Sequence, residues 1–133
     1  MNKYKVFYKE LGKLLYSIAK ADGTIQIKEM ETIRQIVKDE LVPLEDSVDE
    51  FGSDAAFYTE FEVEALEEMD IHVENVFFDF IKFMRETQYG KNEKIKQMCI
   101  RSIERVAEAY KGVTKVEQHM VDVLKAELAK IPN

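Results

Sequence analysis

Two stretches of this chain match in residue kind at a constant separation of 88 positions, without a gap. Leu15 meets Ile103, Ile18 meets Val106, Ala19 meets Ala107, and Ala21 meets Ala109. Farther on, Ile25 meets Val113, Glu29 meets Glu117, Ile33 meets Val121, and Ile36 meets Leu124. The apolar members recur with helical spacing. Leu11, Leu14, Leu15 and Ile18 fall at i, i+3, i+4 and i+7, which predicts an amphipathic helix over residues 3–21. Met30, Ile33, Val37 and Leu41 predict a second helix over 27–41, stopped by Pro43. Residues 92–110 and 115–130 read as their counterparts. A helical hairpin at each end of the chain points to an all-α fold: one compact domain over 1–133, a bundle with two pseudo-symmetric hairpins.

The middle of the chain is less regular. Residues 42–56 hold Pro43, Gly52 and Ser53 among acids and read as a connection with at most one helical turn. Residues 57–63, F-Y-T-E-F-E-V, alternate as a strand would. Thr59 with Glu62 also fits a capping box opening a helix that runs to Met69. The helix is the better reading, because a lone strand has nothing to pair with. Val73, Val76, Phe77, Phe80, Ile81 and Met84 mark a strongly apolar helix, broken at Tyr89-Gly90. Phe78 and Phe83 fall off its main stripe and are candidates to face a partner or a second subunit of a homo-oligomer.

Charge narrows the class of partner. The net charge of −7 is unevenly spread: residues 39–81 hold 15 of the 26 acidic residues, and no lysine or arginine lies between Lys38 and Lys82. Nucleic acid needs a concentrated basic face, so it is not the expected partner. The acidic segment 39–81 suits a cation or a basic protein surface, or is neutralised by the protein's own basic arms. Cys99 is the only cysteine and is expected to be a buried apolar residue. The N-terminus lacks the apolar run of a signal peptide, and no segment has the ~18 apolar residues of a membrane span. A cytosolic protein is expected. Enzymatic chemistry finds no support: His72 and His119 are in no metal-binding motif, and there is no nucleophile elbow or phosphate loop.

The octapeptide "DGTIQIKE", residues 22–29, resembles the back half of a calcium loop, with Asp22, Gly23 and Glu29 in place. The front half fails. Lys20 and Ile18 stand where ligand oxygens are needed, and both belong to the first helix. The second copy offers another role. Thr114 and Glu117 form a T-x-x-E capping box, so Glu29 is expected to cap its helix in the same way, with Gln26 at the cap position. Gly23 suits a left-handed residue ending a helix. Asp22 is the residue without such a role: an anion at a helix carboxyl end is disfavoured by ~0.3–1 kcal/mol unless it serves its own turn or a cation.

The segment "LLYSIAKADGTIQIKEMETIRQIV" resembles the opening hairpin of TerB-like domains, the family of the tellurite-resistance protein TerB and of the N-terminal domain of DjlA-type co-chaperones. The shared pattern is A-x-A-D-G followed by a glutamate opening the next helix, matched by Ala19, Ala21, Asp22, Gly23 and Glu29. The resemblance implies seven or eight helices and a stress-response or interaction module. It also implies a divalent cation, calcium, magnesium or manganese, at Asp22 and Glu29. The second half departs from the pattern, with Tyr110-Lys111-Gly112 in place of an acidic turn. Two readings follow: a non-enzymatic module holding a cation weakly at Asp22 and Glu29, or a metal-independent interaction domain using the acidic segment.

Overall fold

The first helix, α1 (Lys5–Ala19), is buried on nearly every side in the computed structural model, which describes residues 5–41 and 57–133. The helices that follow are α2 (Ile27–Ile36), α3 (Tyr58–Met69), α4 (Val73–Glu86), α5 (Glu93–Glu108) and α6 (Lys115–Ala129). A π turn, Val37–Leu41, prolongs α2, and a 3₁₀ turn, Gln88–Lys91, joins α4 to α5. Among the described residues there is no strand, and no helix is long and apolar enough to cross a membrane. The fold is all-helical. Residues 42–56, read above as a connection, lie outside the described residues.

The Leu11–Leu14–Leu15–Ile18 stripe of α1 accounts for only part of its burial. Phe7, Tyr8, Gly12, Tyr16, Ser17 and Ala19 are buried too, because α3, α4 and α5 all pack against this helix. A helix covered all round is a core element. Gly12 permits the approach of α3: a Cβ there would stand 2.7 Å from the Glu62 Cβ and 2.8 Å from the Thr59 carbonyl oxygen. Any larger residue would push the two helices apart.

Residues 57–63 are helical, as the sequence suggests, but Thr59 does not cap α3. The helix begins at Tyr58, one residue before it. Thr59 is buried, and its hydroxyl donates to the Tyr8 carbonyl of α1 at 2.6 Å. A hydroxyl sealed in a helix interface must find such an acceptor. Glu62 lies against Gly12 and does not reach back to a cap.

The helix predicted over 27–41 changes register at Val37. Its π turn keeps Val37 and Leu41 in the core and is tied to α5 by ion pairs, Glu40 to Arg101 at 2.9 Å and Asp39 to Arg105 at 3.3 Å. On α4, Phe77, Phe80, Ile81 and Met84 are buried as expected. Phe83 does not face outward. Its ring stacks on Tyr89 at 5.5 Å, and Tyr89 stacks in turn on Phe7 at 5.4 Å. Cys99 is fully buried in α5, and that burial pushes its thiol pKa up. At the end of the chain, the buried Lys96 ammonium donates to the Ile131 carbonyl at 2.5 Å and to Asn133 Oδ1 at 2.7 Å.

Candidate functional site: two helix turns and an apolar groove

The α1–α2 and α5–α6 turns each contain left-handed residues, although Gly112 (φ +80°) has no counterpart at Thr24, 88 positions earlier. The residues 88 apart at their centres, Gly23 and Lys111, both have positive φ, +103° and +55°. Gly23 closes its turn through an N–H bond to the Lys20 carbonyl at 2.8 Å. Thr114 and Glu117 make both halves of a capping box, at 3.2 Å and 2.8 Å. In the first turn the Glu29 carboxylate likewise accepts from the Gln26 backbone N–H, at 2.7 Å. Glu29 and Glu117 are both buried, and each satisfies an otherwise orphaned amide at a helix start.

The two turns lie close enough for their carboxylates to interact. Glu29 is 1% exposed, and its pKa is raised to about 7. Burial is the main cause, with repulsion from Asp22 and Glu117 adding to it and the Gln26 N–H opposing it. Asp22 is exposed, and its Oδ1 accepts a long bond from the Thr24 N–H, at 3.5 Å. Its turn therefore supplies a local partner of the kind short polar side chains adopt.

Among the described residues, no three carboxylate, imidazole or thiolate groups are placed to hold a metal ion. One Glu29 oxygen already accepts from Gln26. A cation would also have to displace the proton that a carboxyl with pKa near 7 retains. A hard cation such as calcium takes about six to eight oxygens. Asp22 and Glu29 would supply only part of such a set, backbone carbonyls of the turn and water the rest.

Beside the first turn lies a groove of about 910 Å³, between the α1–α2 turn, the α3–α4 turn with the start of α4, and α6. Its more buried lining is apolar: Ile71, Val73, Phe77, Met120 and Val123. Phe78 and Val116, also lining it, are each 57% exposed. The polar contributors are Lys20, Asp70, His72, Glu74 and His119. The wall at residues 70–72 is held in place from the core. Asp70 adopts a left-handed conformation at the end of α3 (φ 52°), and the buried Tyr16 hydroxyl donates to the Ile71 carbonyl at 2.7 Å. Burial, with Asp70 and Glu67 nearby, raises the Tyr16 pKa and so keeps that hydroxyl protonated. Lys20 approaches Asp70 at 3.6 Å, joining the first turn to the same wall.

Sequence reasoning singled out Asp22 and Glu29, and the structure brings them near one another and near Glu117. It missed the groove. His72 and His119 are 47 positions apart and belong to no shared motif, yet both line it. The legible signal was Phe78, an aromatic residue off the core stripe of α4. No protein-family model matches the chain, and no curated protein or solved structure is significantly similar to it.

Proposed function

We propose that this protein is a non-enzymatic, metal-independent interaction domain of the cytosol that takes an apolar segment of a partner protein into the groove between the first turn, α4 and α6. The observation that carries this reading is the groove itself. Its size lies in the range of ligand sites, about 300–1,000 Å³, and an apolar lining with a few polar groups is the usual composition of such sites. Phe78 and Val116 are large apolar side chains left in solvent at its edge, where a partner's side chains would cover them. The kinship we favour is with TerB-like domains, resting on the Ala19–Glu29 motif and on the sequence matches 88 positions apart. The seven or eight helices of that family and a stress-response role belong to the same proposal.

The cation reading of Asp22 and Glu29 has less support, since the buried carboxyl is occupied by capping its own helix. The groove reading is tested with the fluorescent probe 1-anilinonaphthalene-8-sulfonate. Wild-type protein is expected to enhance its emission saturably, equally with and without a chelator. The exposed pair Phe78→Ser and Val116→Ser, combined in one variant, is expected to lose most of that enhancement while keeping the wild-type melting temperature. Unchanged enhancement in the variant would remove the groove from consideration.

A further inference from the structure

Helix α3 has two apolar faces, and only one of them is used by the core. At about 100° per residue, Thr59, Val63 and Leu66 lie together on the side turned to α1, and all three are buried. Tyr58, Phe61, Ala65 and Met69, at i, i+3, i+7 and i+11, form a second stripe about 80° wide on another side of the helix. All four are exposed, Phe61 by 59% and Met69 by 61%. Scattered surface apolar residues need no explanation, but two aromatics, a methionine and an alanine aligned along three turns form a seam. The flanks of the seam are acidic. Glu64 and Glu68 run along one side and Glu62 along the other.

We propose that this seam docks a basic amphipathic helix of another protein. An apolar stripe between acidic borders complements a helix whose apolar stripe is bordered by lysine or arginine, the pairing logic of helix-on-helix recognition. The protein already seats one cation in this way: the Lys5 ammonium lies 4.8 Å from the centre of the Tyr58 ring, beside the T-shaped Tyr58–Phe61 pair. Charge argues against a second copy as the occupant, since the same seam would meet its own charge. The site does not depend on the groove, since none of Tyr58, Phe61, Ala65 and Met69 lines it.

The test uses a labelled helical peptide of about 14 residues made of leucine and lysine in amphipathic register, its counterpart with glutamate for lysine, and fluorescence anisotropy. The lysine peptide is expected to bind and the glutamate peptide not to. Combining Phe61→Ser with Met69→Ser should weaken the lysine peptide by about tenfold or more, and Glu64→Lys with Glu68→Lys should weaken it similarly. Phe78→Ser should leave it unchanged, which separates this site from the groove. Equal binding to wild type and to the Phe61→Ser, Met69→Ser variant would reduce the effect to general attraction by an acidic surface and overturn the proposal. So would a wild-type dimer in sedimentation that the same variant converts to monomer, since a second copy would then be the occupant. A fall of more than about 4 °C in that variant's melting temperature would show the seam covered by its own chain, and would overturn it too.

Discussion

Replacing Gly90 with alanine is expected to destabilise the protein by about 3 kcal/mol or more, the upper end of the cost of overpacking. Gly90 is buried in the 3₁₀ turn that reverses the chain after α4. A Cβ built on it would stand 1.9 Å from the Met84 carbonyl oxygen and 2.6 Å from the carbon bearing it. The obstruction is backbone, so no rotamer change relieves it. Shifting the turn would disturb its neighbour Tyr89, whose ring is stacked between Phe7 and Phe83. Shifting Met84 would move a fully buried residue of the α4 core face. Denaturant unfolding should report the loss directly, and the melting temperature should drop by about 10 °C or more. A variant melting within a few degrees of wild type would mean that the α4–α5 connection is looser than its packing indicates.

The Glu29 carboxyl should make stability depend on pH in the direction opposite to that of most carboxylates. Its pKa rises from an ordinary 4.5 to about 7 in the folded protein. Below about pH 4.5 it is protonated in both the folded and the unfolded chain and costs nothing. Between pH 4.5 and 7 the unfolded chain gives up the proton while the folded one keeps it. Stability from this group is therefore lost as pH rises, by about 3 kcal/mol in all once pH exceeds 7. Glu29→Gln removes the titration but keeps a side-chain oxygen able to accept from the Gln26 N–H. The stability of Glu29→Gln relative to wild type should thus climb between pH 5 and 8 by about 2–3 kcal/mol, measured by urea unfolding at each pH. A difference between the two that stays constant across that range would show that Glu29 is already ionised at pH 5.

This behaviour bears on function. A carboxyl that holds its proton near neutral pH and caps its own helix has a structural task. The turn that carries Asp22 borders the groove through Lys20, Ala21 and Gly23.

How far the sequence could be read depended on whether the information was local. The i, i+3, i+4, i+7 spacing of Leu11 to Ile18 located α1, and the T-x-x-E signature located the start of α6, because each is set within a few residues. The Glu29 cap was legible only by comparison with Glu117, since glutamine at position 26 carries no cap signal of its own. Thr59 misled for the opposite reason. Its T-x-x-E spacing is genuine, but the acceptor its hydroxyl finds, the Tyr8 carbonyl, is 51 positions away. Phe83 looked free because its stacking partners, Tyr89 and through it Phe7, belong to other elements. The acidic segment was legible as charge but not as surface. Asp39, Glu40 and Glu60 are met by Arg105, Arg101 and Arg34 from flanking helices, and Asp70 by Lys20 from the turn after α1. The groove was illegible because it is assembled from three regions far apart in the chain, and only tertiary packing brings His72 and His119 to one cleft.

The proposed recognition takes place in the groove and needs no metal. Its most direct test is site-specific photo-crosslinking in the native host, with a benzophenone amino acid placed at position 78 in one variant and, as a control outside the groove, at position 125 in another. A discrete protein adduct is expected from position 78, absent from position 125 and unaffected by chelation of divalent cations before irradiation. Adducts that are the same from both positions, or an adduct from position 78 that disappears on chelation, would contradict it.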